Sequence, residues 1–208
     1  MYLTGPENLF EAELSAIFTS SFLFNYQSKY KAGWLKLMTE FENAKNRFSL
    51  NFSHSYYVFV PSSFPDYFRR FTNLEMEDAL ENSDILWNKS GALGIPHRKM
   101  HKFIQPMLDL VKDKLMNLVR KYHVDHIVLS GGRVGSKFFV DAINHAVKDY
   151  SVCVHLPKVK TFLRLQEIGI NFINQLTTKN HFVFVGTHCC CTARCYNFSY
   201  KSCTKNYV

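Results

Sequence analysis

The longest regular pattern along the chain is helical. Met100, Phe103, Ile104, Met107, Leu108, Val111, Leu115, Leu118, Val119 and Tyr122 recur at i, i+3, i+4 and i+7, which lays them along one face of an α-helix. Gly91 and Gly94 precede it, and Pro96 suits its start. Pro106 lies inside it and predicts a kink or a split, because proline gives no backbone N–H to the turn before it. Upstream, residues 10–31 mix apolar and aromatic positions and read as helical at first, with Gly33 as a break. Trp34, Leu35, Leu37, Met38, Phe41 and Ala44 then form a second helical stripe that extends to Phe48, with Glu40, Glu42, Lys45 and Arg47 on the other faces. Residues 50–65 are rich in Ser, Phe, Tyr and Val and predict extended chain, ended by Pro61 and Pro65. A short helical turn over 66–71 and a loop with a helical piece over 73–87 follow.

Beyond the long helix the pattern changes. Ile127, Val128 and Leu129 are a short apolar run, enough for one buried strand over 126–130. Gly131 and Gly132 end it, and Phe138, Phe139, Ala142, Ile143, Ala146 and Val147 return to helical spacing from Ser136 onward. This is a strand, a glycine turn and a helix start, where unpaired N–H groups favour anionic or polar ligands. The spacing excludes a P-loop, since Ser136 precedes Lys137, and the dinucleotide fingerprint is not met. Residues 152–156 predict a second strand, closed by Pro157, and Cys153 within it reads as a buried thiol.

Composition changes this picture mainly at the C-terminal end. The chain has 208 residues, enough for one ordinary domain with a real core. Its net charge of +8 raises a nucleic-acid reading. However, from Lys158 onward there are seven Lys or Arg against one Glu, whereas residues 1–157 hold eighteen against sixteen. The excess belongs to the tail, and a nucleic-acid partner is not expected. Five of the six cysteines also lie there: Cys189, Cys190, Cys191, Cys195 and Cys203. With His181 and His188 nearby they raise a zinc reading, but the paired C-x2-C spacing of structural sites is missing. His97 and His101 stand four apart with no third ligand in view and read as surface histidines. No run of eighteen apolar residues is present, so no membrane span is expected. Glu7, Glu11 and Glu13 stand where a signal peptide would be apolar, and the expected location is cytoplasmic.

Three blocks in this order resemble the nucleotide-binding domain of the 70-kDa heat-shock proteins, and more closely their divergent twelfth subfamily. Trp34 to Lys45, with Phe41-Glu42-x-x-Lys45, is similar to that subfamily's helix ending in Phe-Glu-x-x-Lys. Leu93 to Asp109 is similar to its next helix, Pro106 included, and Val128 through Gly131, Gly132 and Ser136 to Ile143 is similar to its adenosine motif. The resemblance covers roughly residues 9–157. It implies an α/β fold, part of an actin-like ATPase (ribonuclease H-like) lobe, mostly helical with a few short strands. Residues 9–157 are then part of lobe II, the outer subdomain with some of the inner one, and residues 158–208 an unrelated basic, cysteine-rich tail.

The resemblance also implies an adenine nucleotide site. Glu42, Lys45 and Ser49 stand at the spacing of the helix that faces base and ribose, with the carboxylate on ribose hydroxyls and the lysine stem over the base. Gly131, Gly132 and Ser136 form the opposing turn. The family's adenine-stacking arginine is replaced by Gly135, with Arg133 as the nearby substitute, and Lys137 stands where the subfamily has proline. The family's phosphate loops, catalytic lysine and magnesium-linked aspartates match nothing here. The expectation is therefore a truncated chaperone-like ATPase domain with a residual adenosine half-site. It would bind ATP or ADP weakly, have no magnesium site and show no hydrolysis. The alternative is a non-catalytic protein-interaction module that binds no nucleotide.

Overall fold

A computed structural model of the chain describes residues 5–51, 53–122, 124–131 and 136–156, with strand backbone at 181–187 and 196–202. The chain divides into two compact units, residues 1–108 and 109–208. The architecture is mixed α/β, mostly helical among the described residues, with two small sheets.

The first unit opens with α1 (Pro6–Phe18), α2 (Ser20–Lys29) and α3 (Lys31–Asn46). Pro6 sits at the start of α1, where its missing N–H costs nothing. The first break comes at Thr19, whose positive φ of 70° turns the chain while its hydroxyl accepts from the Phe22 N–H. The second comes at Tyr30, between α2 and α3. Gly33 is therefore not a break; it lies in the first turn of α3. A Cβ there would meet the Tyr26 hydroxyl at 2.4 Å, so the glycine is needed for close approach rather than for turning. That hydroxyl is bonded to Ser63 at 2.8 Å.

The core of this unit is aromatic. Phe10 stacks on Phe41 at 4.1 Å, and both meet Phe103 edge-on. Phe18, Phe22, Tyr26, Phe64 and Phe68 form a second cluster in mostly edge-to-face contacts, the geometry the ring quadrupole favours. Phe64 and Phe68 come from α4 (Ser63–Thr72), longer than the turn expected at 66–71, with Pro65 accommodated in its first turn. A short helix, α5 (Met76–Leu80), follows.

An antiparallel sheet of order β1-β3-β2 completes the unit, built from β1 (Tyr56–Phe59), β2 (Leu86–Asn88) and β3 (Ala92–Ile95). Strands β2 and β3 leave no pattern in the sequence, because each has three or four residues and β3 is buried at every position, so neither alternates over a useful length. Lys99 fastens the start of the next helix, α6 (His97–Tyr122), to α1 through Glu13 at 2.5 Å, and also bonds Asp84. Burial works against the Lys99 charge, but the bonds to Asp84 and Glu13 outweigh it and raise its pKa. Helix α6 is continuous across Pro106, which donates nothing to the preceding turn.

The second unit holds the C-terminal half of α6, then β4 (His126–Gly131), α7 (Lys137–Val147) with a 3-10 turn at Lys148–Tyr150, and β5 (Cys153–His155). Its sheet has the order β5-β4-β6-β7, with β6 (His181–Thr187) and β7 (Tyr196–Ser202). Strand β4 is parallel to both β5 and β6, and β7 returns antiparallel to β6. A central strand flanked by parallel neighbours should be apolar throughout, and Ile127, Val128 and Leu129 are all buried. Helix α7 buries Phe139, Val140, Ile143 and Val147. Cys153 is exposed, contrary to the buried thiol expected, because β5 is a short edge strand. No described helix is long and apolar enough to cross a membrane.

Candidate functional site

The expected site residues fall into two groups, one in each unit. In the first, α3 places Glu42 and Lys45 three apart on one face, so the two side chains meet. The lysine points inward. Its side chain is only 3% exposed, and its ammonium is bonded to Glu7 of α1 at 2.5 Å as well as to Glu42. One buried cation thus lies between two carboxylates. Removing one partner from such an arrangement leaves an uncompensated buried charge, at a cost of about 3–5 kcal/mol. Glu42 retains 26% exposure and is the member of the set that still reaches solvent.

Ser49 does not continue that helix face. Helix α3 ends at Asn46 with Arg47 as its C-cap, because three carbonyls of the last turn converge on the Arg47 N–H. Ser49 lies past the end, and its backbone is clamped: its N–H donates to the Tyr56 hydroxyl at 3.1 Å, and its carbonyl accepts from that hydroxyl at 3.3 Å. The His97 Nε2 lies 3.1 Å from the same carbonyl. His97 stacks on Phe48 at 4.8 Å, and His101 packs near the same ring at 5.9 Å. Both histidines are half-buried packing residues rather than the surface residues expected from their spacing.

In the second unit strand β4 and helix α7 lie where the sequence predicts them. Gly131 closes β4 in register with Thr187. Ser136 is buried and caps α7, its Oγ accepting from the Phe139 N–H at 3.5 Å while its carbonyl starts the helix by accepting from Val140. Serine is favoured at this position because its oxygen satisfies one of the helix's orphan donors. Gly132, Arg133 and Gly135 lie outside the described residues, as do Cys189 to Cys195 and His188 of the zinc reading. Among the described residues no group of three metal-ligating side chains could hold an ion.

Two features had no signal in the sequence. Glu7 enters the Lys45 site from 38 residues away. His126 and His155 meet across β4 and β5, Nδ1 to Nε2, at 2.9 Å. Burial, and secondarily the His126 ring, lowers the His155 pKa.

No protein-family model matches the chain, and no solved structure matches it. Curated proteins do. Heat shock 70 kDa protein 12A of Mus musculus and that of Homo sapiens are each 27% identical to it over 151 residues, 70% of this chain and 22% of theirs. Heat shock 70 kDa protein 12B of Homo sapiens is 24% identical over 159 residues, 74% of this chain and 23% of its own. The chain is thus homologous to the 12A and 12B heat-shock proteins over about 70% of its length, and it spans less than a quarter of theirs.

Proposed function

We propose that this homologue of the 12A and 12B heat-shock proteins is the adenosine-facing part of a cytoplasmic, actin-like nucleotide-binding domain, and that it binds adenine nucleotides weakly. The observation that carries the reading is a buried strand ending at Gly131 and a helix start capped by Ser136, at the place where the resemblance puts the adenosine motif. Glu42 is the second contributor, its carboxylate taking ribose hydroxyls. Lys45, held between Glu7 and Glu42, positions that carboxylate rather than covering the base. Gly131, Gly132 and Ser136 are assigned the remaining contacts, and Arg133 and Ser49 are secondary members of the set.

Phosphoryl transfer needs positioned phosphates, a metal and an aligned nucleophile. None of the residues assigned here has those roles, so binding without turnover is the expected behaviour. Adenosine, ADP and ATP should bind with similar affinity near the millimolar range, about −4 kcal/mol. Titration calorimetry on the purified chain tests this, with Glu42→Ala and Gly132→Val expected to weaken all three ligands alike. A strong preference for ATP with magnesium, or turnover abolished by Glu42→Ala, would contradict the reading.

A further inference from the structure

Within the first unit a groove of about 440 Å³ lies beside the outer face of the β1-β3-β2 sheet. Its volume is in the range of ordinary small-molecule sites. Strand β1 alternates, with Tyr56 and Val58 turned into the core and Tyr57 and Phe59 outward, 47% and 51% exposed. The inward residues are fixed. Val58 is fully buried, and the Tyr56 hydroxyl is bonded to the Ser49 backbone, so the two outward rings stand on a rigid floor. Both rings line the groove, together with Arg47, His54, Asn88 and Ser90.

The polar groups of this lining share one bias. Arg47 is a permanent cation with no ion-pair partner among the described residues. His54 adds an imidazole, and among the described residues no carboxylate lines the groove. Asn88 is held by its own turn, its Oδ1 accepting from the Ser90 N–H, the Ser90 hydroxyl and the Ala92 N–H at 2.8–3.1 Å. Its acceptor is committed there, which leaves its amide N–H groups as the available function of that side chain. An apolar aromatic wall thus stands beside a guanidinium, with donors along the rim. A neutral apolar ligand would leave the guanidinium unused, and an inorganic anion would leave the rings unused.

We infer that this groove binds a small aromatic anion, its ring lying on Tyr57 and Phe59 and its carboxylate or phosphate taken by Arg47. Neither Glu42 nor Ser136 is among its described lining residues, although Tyr56, which lines it, bonds the Ser49 backbone. The test uses amide chemical-shift titration of the full chain with phenyl phosphate and with benzoate, which separate phosphate from carboxylate recognition. Inorganic phosphate and benzyl alcohol supply the anion and the ring alone. Shifts are expected at residues 54–59 and 88–90, with the aryl anions bound about tenfold tighter than either half-ligand, the order of one charge-assisted contact. Arg47→Gln should remove most of that gain and Arg47→Lys less of it, because lysine keeps the charge but not the fork. Phe59→Ala should reduce aryl binding towards that of inorganic phosphate. Thermal melting of each variant checks that the unit still folds. Equal binding of all four probes, shifts located elsewhere, or aryl-anion affinity unchanged in both Arg47→Gln and Phe59→Ala would overturn the inference.

Discussion

Lys45 shows how one residue can be correctly placed in a pattern and differently employed in the fold. Its spacing from Glu42 is legible, and the two do meet; its burial against Glu7 is not, because the partner lies on another helix. The consequence is measurable. Lys45→Met should destabilise the first unit by about 3–5 kcal/mol, since Glu7 is left charged and buried. Adding Glu7→Gln to that variant should restore much of the loss in urea unfolding. A double variant as unstable as the single one would show that the pair is not the cause. His155 gives a second prediction at this scale. Its folded pKa is lowered, by burial first and by His126 second, so the folded state binds that proton less readily than the unfolded chain, whose value is about 6.5. Its contribution to stability is present above that value and is lost as the pH falls through the folded one. Unfolding midpoints compared from neutral pH to about pH 5 should fall more steeply for the native chain than for His155→Gln, whereas parallel curves would remove the histidine from the acid response.

At the scale of elements, local chemistry sets the starts of helices more firmly than glycine sets their ends. Ser136 caps α7 where the pattern places it, and Ser136→Ala should cost about 1 kcal/mol in unfolding of the second unit. No change would mean the 3.5 Å cap bond carries little. Gly33 was legible only as a breaker, yet it sits inside α3 because Tyr26 occupies the space a side chain would need. Gly33→Ala should therefore destabilise the unit despite alanine's better helix propensity, and thermal melting in the Tyr26→Phe background should show part of the cost relieved. The long helix α6 and strand β4 were readable because their apolar positions repeat or run unbroken. Strands β2 and β3 were not, because three or four residues give no period to detect, and pairing over such short lengths is decided by partners distant in sequence.

For the whole molecule, the order of motifs carried more than any one of them. The glycine pair alone is common; its order after the Glu42 and Pro106 segments carries the resemblance, and the chain is homologous to the 12A and 12B heat-shock proteins over about 70% of its length. The aromatic core of the first unit, the buried Lys45 cluster and the Ser136-capped helix of the second rest on contacts within this chain. The outer-face groove was not legible at all, since Arg47, His54 and Phe59 belong to three different local structures that only the fold brings together. The most direct measurement of the central claim is an amide chemical-shift titration of the intact chain with adenosine. The account predicts saturable shifts at residues 41–46 and at 129–139, weakened throughout by Glu42→Ala, with residues 54–59 unmoved. Shifts confined to 54–59, or no saturable shift at either expected segment, would contradict it.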